Sequence, residues 1–202
     1  MCARLTLFNA RRGGEPCRLK IQIFEDAMSE RWLDKKVIEK LNDSEQEIFK
    51  NMKIGYQTGK GNHLVPILFP ADTIPALKLL TSYDVRQKVS VNKDNKYIFA
   101  NTNFSCDHVG GWAAINKMAE SAGVSRPELL TATRTRHRIS TLYAELDVAD
   151  KDRQVFYKHM GHSEKVNQHT YQQPLPIQEM LKVGTQLEKF DRGRQCCVHC
   201  TY

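Results

Sequence analysis

The sequence predicts an α+β fold, mainly helical with one small antiparallel β-sheet. Three observations lead there. The chain of 202 residues is 41% apolar, enough to bury one real core and too short for two full ones. Most apolar positions recur at helical spacing between Gly, Pro and cap-type residues. Only residues 52 to 69 alternate in the strand manner, about a turn holding two glycines.

A basic segment runs to Gly13-Gly14, which permit a bend. Glu15-Pro16 then open a helix, since proline is pre-set for a first turn, and Leu19, Ile23 and Ala27 share its apolar face. Ser44 to Glu47 read as a capping box leading into Ile48-Phe49. Residues 52 to 57 and 63 to 69 form a β-hairpin with Lys60 near its tip, and Pro66, lacking an N–H, should face an edge. Helix follows over 73 to 89, a short extended piece over 96 to 99, and helix over 111 to 122, ended by Gly123. A long helical stretch spans 128 to 145. Asp150 caps a shorter helix that stops at Gly161, and Ser163 caps one carrying Tyr171 before Pro174. In the last helix, 177 to 190, Ile177, Met180, Leu181, Leu187 and Phe190 form a stripe that has to be buried against something.

The composition excludes some functions. It is that of a folded chain, so disorder is not its main state. No apolar run approaches the roughly 18 residues of a membrane span; the longest, Leu64 to Phe69, contains Pro66. Cys2, Cys17 and Cys106 lack metal-ligand spacing, and Cys196, Cys197, His199 and Cys200 are packed too tightly for one segment to wrap a tetrahedral zinc. No metal and no cofactor are expected. The formal charge of +7 is uneven: residues 21 to 50 are net acidic, whereas 1 to 20 and 51 to 138 are strongly basic, which suits an anionic partner.

Four segments carry potential chemistry. Arg12 stands three residues before Glu15 at a bend; Gly59-Lys60-Gly61 is a hairpin tip; Arg134 to Arg138 crowd a helix; and Met160-Gly161-His162-Ser163 precedes Tyr171, which lies nine residues after His162. Singly, these read as a solvated basic pair, a polar turn, a wet helix face and a helix cap. In this order they resemble the tyrosine recombinase (phage integrase) catalytic domain over roughly residues 4 to 175. The general look, with its Cys-rich tail, resembles an animal Crypton-like transposon relative.

The resemblance implies a catalytic set of Arg12, Lys60, Arg136, His162 and Tyr171, with Glu15 and Thr133 supporting. It implies DNA strand cleavage and rejoining, as in site-specific recombination or integration, through a 3′-phosphotyrosyl intermediate. The partners would be double-stranded DNA and further copies of the chain, the place the nucleus. The residue types suit that task. Guanidinium forks clamp the non-bridging oxygens of a phosphodiester without losing charge. A phenol needs neighbouring cations to become a nucleophile, and an ammonium on a hairpin can protonate a leaving 5′-oxygen.

Two departures from the family pattern stand out. The family usually has histidine where this chain has Thr133, a hydroxyl that donates but is no acid or base near neutral pH; His137, about 100° further round the helix from Arg136, looks poorly placed to substitute. Only eleven residues precede Arg12, too few for a DNA-clamping domain or for the helix that normally leads into the first arginine. Residues 1 to 190 are thus expected to form a catalytic domain without its N-terminal clamp, and 191 to 202 a disordered tail. The alternative reading is a catalytically inactive DNA-binding remnant of a recombinase or transposon.

Overall fold

The computed structural model describes residues 1–161, 163–172 and 176–191. Its first helix, α1 (Cys2–Phe8), leads into the first arginines, so the chain does hold a helix where its shortness argued against one. Helix formation over 15 to 27 is split. The single turn α2 (Gly14–Cys17) ends before α3 (Ile21–Met28), because Lys20 is extended and bridges to Tyr97. A turn of helix, α4 (Lys35–Ile38), precedes α5 (Asp43–Lys50). The capping box of α5 is made by Asn42 and Glu45, not Ser44 and Glu47: each side chain accepts the other's backbone N–H at 2.9 Å.

β1 (Met52–Thr58) and β2 (Leu64–Pro70) pair antiparallel with Tyr56 opposite Pro66 and Ile54 opposite Leu68. The turn between them uses the left-handed region at Gly61 and Asn62. Pro66 lies on an edge, and that outer edge is occupied. Arg11 donates to the Pro66 carbonyl, while the Asn9 side chain donates to the Leu68 carbonyl at 2.9 Å and accepts from its N–H at 2.8 Å.

The helix expected over 73 to 89 breaks at Ser82 into α6 (Ile74–Thr81) and α7 (Tyr83–Lys88). α8 (Gly111–Ser121) follows; a Cβ on Gly111 would sit 1.7 Å from the Gly13 carbonyl oxygen, so only glycine lets this helix meet the bend before α2. α9 (Ala132–Ala144) starts later than the sequence suggests, at Thr131, whose hydroxyl accepts from the Arg134 N–H; residues 127 to 129 form a separate tight turn. α10 (Asp150–Met160) takes Ala149 as its N-cap, so Asp150 serves in its first turn instead of capping it. It ends at Gly161, whose φ of 69° needs the left-handed region.

Ser163 caps α11 (Glu164–Val166), and the chain then widens into a π-turn over Asn167–Tyr171. The C-terminal segment is α12 (Pro176–Gln178), a π stretch and α13 (Thr185–Asp191). The main core gathers Leu5, Leu19, Phe24, Ile67, Phe69, Leu77 and Ile98 between the early helices and one face of the hairpin. α10 packs on β2, and α9 on α1 and on the π-turn, which closes the second half of the chain over the first. The apolar stripe of the last segment is not buried here: Ile177, Met180, Leu181 and Leu187 are all exposed. His162, the side chain of Phe190 and the tail beyond Asp191 lie outside the described residues.

Candidate active site

Glu15 is 3% exposed in α2 and gathers two cations. The Arg12 Nη1 donates to one carboxylate oxygen at 3.3 Å, and the Arg11 Nη1 lies 3.9 Å from the other. The neighbours then diverge. Arg11 turns inward, is 1% exposed and is committed to the Pro66 carbonyl, so burial lowers its pKa to about 10. Arg12 keeps about a third of its side chain exposed. It is the guanidinium that faces the tyrosine.

Arg136 enters from the inner face of α9 and is buried. Its Nη1 donates to the Ala10 carbonyl at 3.0 Å and its Nη2 to the Met160 carbonyl, which fixes the planar group between the end of α1 and the end of α10. The Arg136 Cζ lies 4.8 Å from the centroid of the Tyr171 ring. Burial by itself pushes the phenol's pKa up, but charge and hydrogen bonding from Arg136 and Arg12 outweigh it and hold Tyr171 below the usual tyrosine value. Arg12 moves the opposite way: the phenol and Glu15 outweigh its own partial burial and raise it.

The structure thus brings Arg12, Glu15, Arg136 and Tyr171 into one cluster from three separated segments. Lys60 projects from the hairpin tip and lines, together with Arg12 and Glu15, a cleft of about 550 Å³. Thr133 is exposed in the first turn of α9 and makes no side-chain hydrogen bond among the described residues. His162, the remaining expected member, is not among them.

One neighbour of the phenol is a residue that helical geometry argued against, His137. The His137 ring packs 5.0 Å from the Tyr171 ring at a 48° tilt, and its Nδ1 is buried without a partner. An ideal helical wheel rotates His137 away from Arg136, but Tyr171 rides a π-turn and reaches both residues. Near the same junction, His159 bonds through Nε2 to the Asn9 carbonyl at 3.0 Å. Burial, reinforced by Arg11, depresses its pKa to about 4. Among the described residues, no group of three or more His, Cys, Asp or Glu could hold a metal ion, and no helix is long and apolar enough to cross a membrane.

No family model and no curated protein matches this chain. Solved structures do. The XerH site-specific recombinase bound to palindromic difH substrate, in a post-cleavage complex, superposes with a TM-score of 0.54 at 18% identity, covering 93% of this chain and 44% of that one. The pre-cleavage complex of XerH with difH gives 0.51 at 18% identity, covering 93% and 46%. XerA recombinase gives 0.49 at 15% identity, covering 96% and 63%. The chain therefore spans less than half the length of the XerH chains it matches. Its mainly helical fold with a two-stranded antiparallel sheet is that of tyrosine recombinase structures.

Proposed function

We propose that this chain, on a fold shared with tyrosine recombinases, cleaves and rejoins double-stranded DNA with Tyr171 as its nucleophile. One observation carries the reading: the Arg136 guanidinium lies 4.8 Å from the Tyr171 ring centroid, and Arg136 and Arg12 together hold the phenol below the usual tyrosine value. A cation pair around a phenol lowers the cost of forming phenolate and offers positive charge to the phosphodiester it attacks.

In the proposed step the Tyr171 oxygen bonds to phosphorus, its proton passes to solvent, and the bond from phosphorus to the 5′-oxygen breaks. The 5′-oxygen takes a proton from the Lys60 ammonium, which solvent replenishes. A 3′-phosphotyrosine and a 5′-hydroxyl result, and the reverse attack by another strand's hydroxyl completes exchange without metal or nucleotide cofactor. Arg12 and Arg136 hold the non-bridging oxygens, Glu15 positions Arg12, and His162 supplies a further donor. Transposon descent of the Crypton type, action in the nucleus and assembly of several copies on DNA belong to the same proposal.

A second reading, a DNA-binding remnant without turnover, is favoured by two observations. Arg136 already spends both Nη groups on main-chain carbonyls, and an exposed hydroxyl stands at position 133. A nicked suicide duplex separates the two. Covalent protein–DNA adduct with the wild-type chain, absent in Tyr171→Phe, is the outcome expected of the enzyme. Equal and salt-sensitive binding by both proteins, with no adduct from either, would establish the remnant.

A further inference from the structure

The cleft beyond Arg12 holds more than the strand-cleavage step uses. It lies between α2, the hairpin and the extended piece at Tyr97, and Arg18, Lys20, Gln57 and Tyr97 line it besides Arg12 and Lys60. Among the described residues Glu15 is the only acid in its wall, and that carboxylate is already paired with Arg11 and Arg12. Arg18, Lys20 and Lys60 make no ion pair among the described residues. Three cations without counter-ions around one cleft set up a local field that concentrates an anion.

Gln57 gives that field a direction. It sits on β1, only 4% exposed, and its Nε2 has no hydrogen-bond partner among the described residues. A buried amide donor left unpaired is costly, and the few that folded proteins retain call for an acceptor supplied from outside. Arg18, which lines the same cleft, is folded back across the turn of α2: its Nη1 lies 2.8 Å from where a Cβ on Gly14 would stand, so the missing side chain there makes room for the guanidinium. The Tyr97 ring is held edge-on to His108, with centroids 5.0 Å apart, and so offers a fixed aromatic surface to the cleft. The volume of about 550 Å³ lies in the range of small-ligand sites.

We propose that this cleft is a nucleotide subsite in which Arg18 and the Gln57 amide bind one backbone phosphate while Tyr97 carries the attached sugar or base. The proposal rests on the reading above for its substrate, DNA. It adds the polarity: Lys60 lines this cleft, so the segment lodged there is the one bearing the leaving 5′-oxygen. Recognition through the backbone and one ring face is tolerant of base identity, because every base presents a π-face to stack on.

The probe is the dinucleotide pdTpdT, titrated into ¹⁵N-labelled full-length chain, with inorganic phosphate in parallel. The side-chain amide signals of Gln57, assigned by their loss in Gln57→Met, should move with pdTpdT. Arg18→Gln and Gln57→Met should each weaken its binding about ten- to a hundredfold, the range of one lost hydrogen bond to a charged group, with amide dispersion unchanged. Lys78→Gln, on α6 and outside the cleft wall, should leave it within twofold. Immobile Gln57 signals, an equal loss in Lys78→Gln, or inorganic phosphate binding as tightly as pdTpdT would each overturn the subsite. The suicide-duplex assay reports separately: dinucleotide binding without adduct would remove the cleavage chemistry and keep the subsite, and adduct without Gln57 shifts the reverse.

Discussion

Adjacent residues of one type carry opposite duties at Arg11 and Arg12. Arg11 is buried, tied to Pro66 and paired with Glu15, whereas Arg12 is partly exposed and meets the phenol. Arg11→Met should destabilise the fold by about 3 to 5 kcal/mol in denaturant melts, because Glu15 would keep its charge with half its pairing gone. Arg12→Gln should melt close to the wild type yet lower adduct formation by about 10²- to 10³-fold, the effect of removing one charge-stabilising donor. Melts that reverse this order would mean that the assignment of the two arginines is inverted. The sequence made Arg12 legible through its three-residue spacing to Glu15, but it held nothing that marks Arg11 as a lock on β2. His137 was set aside wrongly for a related reason, since an ideal 100° rotation per residue says nothing of a partner arriving from a π-turn.

Among the elements, the hairpin and the Ser163 cap were plain in the sequence because each has a local cause, alternation about glycines in one case and a hydroxyl before an acidic first turn in the other. The breaks at Lys20 and Ser82 were not, since periodicity continues across them and only contacts made far along the chain, such as the Lys20 bridge to Tyr97, decide them. The end of α10 shows how such contacts set stability. Its last two residues tie it to other elements, Met160 through its carbonyl to Arg136 on α9 and His159 through its ring to Asn9 just after α1. With the histidine near 4 in the fold and about 6.5 when exposed, the unfolded chain binds the extra proton between those values. Stability is therefore whole above about pH 6.5 and falls as the pH drops toward 4, by up to about 3 kcal/mol. Urea melts at pH 5 and pH 7 should show that slope in the wild type and a flatter one in His159→Gln; parallel slopes would mean the imidazole is not held neutral.

For the molecule as a whole, the apolar stripe of the C-terminal segment is left uncovered by the described residues. Ile177, Met180, Leu181, Val183 and Leu187 are between 48% and 69% exposed, more apolar surface on one segment than a lone chain usually leaves in water. On the proposed assembly of several copies, the double substitution Met180→Glu with Leu181→Glu should raise the self-association constant for dissociation by about tenfold or more in sedimentation velocity, without altering the melt. Unchanged association would assign the stripe another occupant. The same molecule shows the contrary treatment of its sheet. Pro66 has no N–H to offer and its carbonyl is taken by Arg11; two residues on, both main-chain groups of Leu68 are taken by Asn9. A bare outer rim on a two-stranded ribbon is a template for amyloid-like stacking between molecules. Here that rim is already spoken for over its central stretch, so replacing Asn9 would not only loosen α1 but would give the ribbon a sticky border on which fibrils can start.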